Sequence, residues 1–135
     1  MPAVEWSDDL SVGIEVLDGH HKRLIALLND LAEVVRRQDA QEVVGRTLGE
    51  LIRYTYYHFG EEERLMEEAG YDDLDAHRQS HRIIADHVRG MEAEWDANPR
   101  TVVAAELFEF LSDWLIHHIR VEDARYTPIL AGGTP

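Results

Sequence analysis

Histidine and acidic residues are concentrated between His58 and His81, in a segment that also carries phenylalanine, leucine and methionine. His58 and Glu62 are four residues apart, and so are His77 and His81. Residues with this spacing share one face of an α-helix, about 6 Å apart along its axis. The spacing therefore predicts two helices that each direct a pair of potential metal ligands to one side.

Both pairs fall within apolar stripes. We predict four helices, and the stripe of the third advances in steps of three and four residues: Leu74, His77, His81, Ile84, Val88, Met91 and Trp95. On the second helix, His58 and Glu62 lie between Thr55 and Leu65 at the same kind of spacing. A glutamate is almost never fully buried unless it is paired, because an isolated buried carboxylate costs several kcal/mol. A cation between the histidines would explain an inward-facing Glu62.

The first and fourth helices add further histidines. Spacing allows either His20 or His21 to face inward, whereas the apolar positions before His118 favour it over His117. One such pair is more typical of an ordinary core histidine or a solvated charge. Four helices that converge on imidazoles and carboxylates indicate a buried metal centre.

The ligand types narrow the choice of metal. The chain has no cysteine, which excludes thiolate sites and disulfides. Imidazoles with a few carboxylates suit iron, zinc, copper or manganese. Five or more histidines are too many for one tetrahedral zinc, so two metals bridged by carboxylates fit better. A dinuclear iron site in a helix bundle is the best interpretation.

Length and composition set the framework. The chain has 135 residues and a net charge of -14, which favours one soluble domain and argues against nucleic acid or an anionic membrane as a partner. The first residues, MPAVEWSDDL, lack the basic and apolar regions of an export signal. We expect a cytoplasmic protein, and a monomer, because the apolar helix faces are used up by the core.

The pattern predicts an all-α fold, an up-down-up-down four-helix bundle with an extended N-terminal arm, in a single domain over residues 1–135. The arm covers residues 1–17, where Val12, Ile14 and Val16 alternate; the bundle covers about 18–127, and a frayed tail covers 128–135. Predicted helix ends are a capping box of Asp39 and Glu42, a stop at Gly70, a cap at Asp72 or Asp73, and Asn98 with Pro99 opening the fourth helix.

These segments resemble the hemerythrin family. His58 and Phe59 are followed after two residues by Glu62 and Glu63, and then by Met66, Tyr71, His77 and His81 at the family's intervals. The blocks LDGHHKRL and WLIHHIRVED are also similar to the family pattern. The resemblance covers nearly the whole chain, and it implies a non-haem di-iron centre that binds dioxygen reversibly.

The resemblance also implies roles for individual residues. The metal ligands would be His21, His58, Glu62, His77, His81, His118 and Asp123. His77, His81 and His118 would hold one iron, and His21 and His58 the other. Glu62, Asp123 and an oxo or hydroxo group would bridge the two iron ions. His20, His87 and His117 are interpreted as surface or outer histidines.

Two points of the resemblance go beyond spacing. Ideal helix geometry selects Glu122, four residues after His118, whereas the family pattern selects Asp123, five residues after it. Residues similar to those of the family's oxygen pocket would wall the open position of the two-histidine iron: Phe59, Trp114, Leu115 and Ile119.

The expected function is storage or delivery of dioxygen by a protein that is not an enzyme. A histidine-rich centre should bind oxygen without cleaving it, because imidazoles stabilise high-valent iron less than carboxylates do. The alternatives are an oxygen, redox or nitric oxide sensor that acts through a partner, a di-iron oxidase or peroxidase, and a helical protein with a zinc site or an empty one. An oxygen-consuming or signalling partner remains open.

Overall fold

Four helices form the protein in the computed structural model, which describes residues 4–11 and 14–119. They are α1 (Glu15–Arg36), α2 (Gln41–Ala69), α3 (Leu74–Ala97) and α4 (Thr101–His117). Successive helices pack on each other, and α4 returns to pack on α1. Short connections make neighbouring helices antiparallel. The predicted all-α, up-down-up-down bundle is confirmed. No helix within the described ranges is long and apolar enough to cross a membrane.

The N-terminal arm is shorter than predicted. α1 begins at Glu15 rather than near Asp18, so Val16 belongs to the helix, where its side chain is 51% exposed. Ile14 is extended and partly buried, as expected, and Val12 lies outside the described residues. A run of three alternating apolar residues was too short to distinguish an extended segment from the first turn of a helix.

The described part of the arm lies along α1. The backbone of Val4 donates to the side-chain amide of Asn29 at 2.8 Å and accepts from it at 2.7 Å. The ammonium of Lys22 lies 5.0 Å from the ring centre of Trp6, and Leu10 is buried at the end of a short 3₁₀ turn. These contacts place the arm beside α1, which carries two of the candidate histidines.

The predicted stop of α2 and the predicted cap position of α3 are correct, whereas the caps predicted for α2 and α4 are not. Gly70 ends α2 in the left-handed conformation, with φ of 69°, which glycine adopts without steric cost. The residue before α2 is Ala40, without a side-chain cap, and Asp39 pairs with Arg37 instead of closing a capping box. Asp73 precedes α3 without a side-chain cap bond, and α4 begins at Thr101 after Arg100 rather than at Pro99.

The antiparallel order gives the bundle two ends. At the end formed by the start of α2 and the end of α3, the interior is apolar. The two helices approach closely there, because a Cβ added at Gly45 would lie only 3.2 Å from Trp95 Nε1. At the other end, α1 begins, α2 ends, α3 begins and α4 ends. The candidate histidines belong to this second end.

Candidate metal centre

Every helix contributes a buried imidazole or carboxylate to one cluster at this end. α1 supplies His21, α2 supplies His58 and Glu62, and α3 supplies His77 and His81. His118 follows α4 directly, where the helix continues as a π-helical turn through Ile119. The side chains of all six are buried, and Glu62 is 0% exposed. The inward direction expected from the stripes is therefore seen for the residues of α2, for those of α3 and for His118, and of the two candidates on α1 it is His21 that joins the cluster.

The carboxylate of Glu62 lies at the centre of the cluster, and its two oxygens face different histidines. Oε1 lies 2.6 Å from His77 Nε2, 2.9 Å from His118 Nε2 and 3.2 Å from His81 Nε2. Oε2 lies 3.0 Å from His58 Nε2 and 3.8 Å from His21 Nε2. Five imidazoles thus divide three to two across one carboxylate.

The donor atoms fall into two groups in which all atoms lie within 4.8 Å of one another. One group contains Glu62 with His77, His81 and His118; the other contains Glu62 with His21 and His58. Nitrogen and oxygen ligands about 2.1 Å from a common ion lie roughly 3–4 Å apart, so these groups have the dimensions of metal sites. The donor set, imidazoles and a carboxylate without thiolate, fits first-row transition metals such as iron.

The electrostatics of Glu62 point to a cation. Complete burial acts to raise the pKa of its carboxyl group, but the facing imidazoles, with His118 and His58 foremost, more than offset burial. The pKa of Glu62 therefore lies well below its ordinary value, and the group is a carboxylate. A buried anion of this kind requires positive charge nearby, which protonated imidazoles or a bound metal can provide.

A second carboxylate orients His81 from outside the cluster. Glu63 Oε2 lies 2.8 Å from His81 Nδ1, while His81 Nε2 points to Glu62. Burial acts to lower the pKa of His81, but the bonds to Glu62 and Glu63 raise it overall. The bond to His81 in turn lowers the pKa of Glu63. Such carboxylate–histidine pairs hold metal ligands in a fixed orientation.

Sequence analysis gave Glu63 no role. It stands next to Glu62 and therefore about 100° round the helix, on the flank that faces α3. The signal was a third glutamate in the run Glu61, Glu62 and Glu63. Because acidic runs usually lie on solvated faces, the run alone did not single out this residue.

The doubled histidines on α1 take different positions. His21 enters the cluster, as the family resemblance implied, but His20 is also buried, at 8% exposure. Its Nδ1 lies 3.1 Å from His58 Nδ1, on the side of that ring away from Glu62. Burial lowers the pKa of His20. Of the other outer histidines, His87 and His117 are exposed, and His87 stacks on Phe110.

Aromatic rings brace the three-histidine group. Phe59 stacks on His81 with ring centres 4.0 Å apart, and Trp114 stacks on His118 at 4.7 Å. Phe59 and Trp114 also meet edge to face at 5.0 Å, and Phe59 lies 6.3 Å from the ring of His58. These rings fix the orientation of two imidazoles, as stacked side chains in a packed interior do.

Comparison with known proteins decides the family. Residues 12–130 match the model of the hemerythrin HHE cation-binding domain. The chain belongs to the hemerythrin family. It is 38% identical over 126 residues to a bacteriohemerythrin of Stenotrophomonas maltophilia, covering 93% of this chain and 80% of the relative. A bacteriohemerythrin of Pseudomonas aeruginosa is 36% identical over the same shares.

More distant relatives agree. A myohemerythrin of Theromyzon tessulatum is 28% identical over 90% of this chain and 89% of its own length. A solved wild-type hemerythrin structure superposes with a TM-score of 0.88 at 26% identity, over 96% of this chain and 99% of that one. The hemerythrin family binds non-haem iron, and the cluster around Glu62 could hold metal. Family and fold are therefore consistent with oxygen binding at a metal centre.

Leu115 and Ile119, two of the four residues predicted to wall the oxygen pocket, are buried at 1% and 2% exposure. Leu115 follows Trp114 in the chain, and Ile119 follows His118. Asp123 and its alternative Glu122 lie outside the described residues. Phe59 and Trp114 make their ring contacts mainly with the three-histidine group. The sequence had predicted both residues beside the two-histidine iron.

Proposed function

We propose that this chain binds dioxygen reversibly at a non-haem di-iron centre and stores or delivers oxygen in the cytoplasm. We assign the whole chain, residues 1–135, to one domain that acts as a monomer and is not an enzyme. The proposed ligands are seven: His21, His58, Glu62, His77, His81, His118 and Asp123.

The observation that carries the proposal is the division of imidazoles between the two oxygens of Glu62. If Glu62 bound a single metal, the other ligands of that metal would surround one position beside the carboxylate. Here Oε1 faces three imidazole nitrogens, and Oε2 faces two others. This arrangement supports a carboxylate that bridges two metals, with His77, His81 and His118 on one ion. His21 and His58 would hold the second.

The choice of iron rests on donor number and family. Five imidazoles and a carboxylate exceed the four positions of a structural zinc site. Members of the hemerythrin family bind non-haem iron. When bound, the iron pair supplies the electrons and the open coordination position that dioxygen requires. This chain's residues then have to hold the ions, orient the ligands and exclude water.

Asp123 is proposed as the second bridging carboxylate because the hemerythrin pattern has an aspartate at this position. Ideal helix spacing alone would select Glu122, since a residue five positions after His118 points about 140° away from it.

Four apolar or aromatic side chains are proposed to wall the dioxygen site: Phe59, Trp114, Leu115 and Ile119. Three of them are buried, and Trp114 is partly buried. An apolar lining gives an entering anion or water molecule no hydrogen-bond partner. Exclusion of water and anions slows irreversible oxidation of the iron, which a reversible carrier requires.

An absorption spectrum of the iron-loaded protein tests this function. The protein is reduced without air and then cycled between oxygen and vacuum. We expect a visible charge-transfer band that appears with oxygen and disappears under vacuum. Immediate and irreversible conversion to the di-ferric spectrum would contradict reversible binding. Sustained oxygen consumption with an added reductant, beyond the binding stoichiometry, would contradict a protein that is not an enzyme.

A further inference from the structure

His20 is a buried histidine that the proposed centre does not use as a ligand. Its Nδ1 lies 3.1 Å from His58 Nδ1, and the two rings are nearly perpendicular, at 82°. The opposite nitrogen of His58, Nε2, lies 3.0 Å from Glu62 Oε2. His58 is therefore contacted at both ring nitrogens, by His20 on one side and by the cluster on the other.

The contact between the two Nδ1 atoms restricts the proton positions of both rings. A hydrogen bond between two imidazole nitrogens requires one to carry a proton and the other to offer a lone pair. His58 can offer Nε2 to a metal only if its own proton is on Nδ1. In that state His58 donates to His20, and His20 accepts at Nδ1 and carries its proton on Nε2.

We propose that His20 is a positioning residue, which accepts the Nδ1–H of His58 and so directs the Nε2 lone pair of His58 toward the two-histidine metal position. The proposal rests on the proposed metal centre. It gives the two halves of the centre different outer partners. His81 has a carboxylate at Nδ1, from Glu63, whereas His58 has a neutral imidazole.

The competing role for His20 is packing alone. Its ring centre lies 6.0 Å from that of Tyr54 and 5.5 Å from that of Tyr57, so it fills space between α1 and α2. Two variants separate the roles. His20→Phe keeps an aromatic ring of similar size but has no acceptor. His20→Asn has less volume but offers a carbonyl oxygen near the position of Nδ1.

The first readout is the Nδ1–H proton of His58 in protein loaded with zinc(II), a diamagnetic ion that imidazoles bind. A metal is needed, because in metal-free protein the carboxylate of Glu62 lies 3.0 Å from His58 Nε2 and itself favours a proton on that nitrogen. In proton–nitrogen NMR spectra of ¹⁵N-histidine-labelled protein, we expect a downfield-shifted, slowly exchanging Nδ1–H in the wild type and in His20→Asn, and its loss to fast exchange in His20→Phe. An unchanged Nδ1–H signal in His20→Phe would overturn the proposal. If His20→Phe does not fold, His20→Leu takes its place.

The second readout is anaerobic titration with iron(II). Loss of an outer partner typically weakens metal binding about 10–100-fold. We expect one of two ions per chain to bind at least about tenfold more weakly in His20→Phe, and both to bind within about threefold of wild type in His20→Asn. Equal weakening in both variants would show a packing role and overturn the proposal. If the wild type binds zinc(II) but no iron, the proposed function fails, while the NMR result on the zinc-loaded protein still decides the role of His20.

Discussion

The two ends of the bundle are filled by side chains of opposite character at corresponding inward positions. At one end the buried side chains include Leu31, Leu48 and Val103, whereas at the other His58 and His118 face Glu62. Burial of an aliphatic side chain stabilises the fold by about 1.5–3 kcal/mol, and burial of a carboxylate costs several kcal/mol unless it is paired. Packing at the apolar end therefore stabilises the fold, and it offsets the free-energy cost of burying the candidate metal ligands at the polar end.

This difference explains how a chain can keep a buried ligand cluster and still fold. The same helices run through both ends, so the apolar packing of their far halves fixes their positions before any metal is bound. Substitutions at the apolar end should therefore lower stability, whereas substitutions at the polar end should weaken metal binding.

Leu48→Ala should cost the most stability. Leu48 is 2% exposed at the apolar end, and truncation of a buried leucine costs about 2–5 kcal/mol through lost burial and the cavity left behind. Urea denaturation should show this loss in metal-free and iron-loaded protein, while the folded variant still binds two iron ions. The control, Ile83→Ala, removes a side chain that is 58% exposed and should change stability by less than about 1 kcal/mol. A loss of iron from folded Leu48→Ala would break the separation of the two ends.

His77→Asn should damage the polar end. His77 Nε2 makes the shortest of the five contacts to Glu62, at 2.6 Å, and the variant removes one of three imidazoles from its group. We expect iron(II) affinity to fall by more than tenfold, which corresponds to more than about 1.4 kcal/mol. His87→Asn is the matched control, because His87 lies on the same helix and is exposed. Equal iron affinity of the two variants would remove His77 from the site.

Glu63→Gln should weaken the site without removing a ligand. The variant replaces the carboxylate that faces His81 Nδ1 by an amide, and loss of such an outer partner costs about tenfold or more in metal affinity. Glu67→Gln provides the control, since both glutamates pair with Arg78 but only Glu63 contacts His81. If both variants reduce iron binding equally, the effect comes from Arg78 or from net charge, and the role given to Glu63 is wrong.

Two glycine substitutions should have small effects of opposite sign. Gly70→Ala places a side chain at φ of 69° where α2 ends, and should destabilise the fold by about 1 kcal/mol. Gly90→Ala lies inside α3, where the added Cβ meets nothing within 4 Å apart from its chain neighbours and the backbone of its own helix, and should stabilise the fold by about 0.5–1 kcal/mol. Thermal unfolding of the metal-free proteins measures both. A stabilising Gly70→Ala would show that the left-handed turn is not required at the polar end.

Periodicity predicted the architecture and much of the site. Steps of three and four residues placed His77 and His81 in line with Val88 and Trp95, and all four side chains are buried. The same rule placed Glu62 inward with His58. Such stripes are informative because burial of one helix face is what stabilises a bundle.

The choice between adjacent histidines could not be made from periodicity. α1 packs against both α2 and α4, so its buried sector is wide enough to include His20 and His21 together. Only the contacts separate them, because His21 faces Glu62 while His20 faces the back of His58. The role of Glu63 was hidden for a similar reason, since a residue beside a buried ligand can either point to solvent or support a neighbouring helix.

The caps predicted for α2 and α4 were wrong for another reason, whereas Asp73 does precede α3 as predicted. A cap is one side-chain bond worth about 1 kcal/mol, which the packing of a whole helix easily overrides. Asp39 had the right spacing for a cap but pairs with Arg37, and α4 begins two residues later than the pattern of Asn98 and Pro99 predicted. The prediction of a buried helix face is supported by many residues at once, whereas the prediction of a helix start depends on a single capping residue.

Diffraction from crystals of the iron-loaded protein at the iron absorption edge tests the division of the histidines most directly. We expect two anomalous peaks roughly 3.5 Å apart, one beside His77, His81 and His118 and one beside His21 and His58, with Glu62 between them. A single peak, or two peaks on the same side of Glu62, would contradict the claim that this carboxylate divides the histidines between two metals.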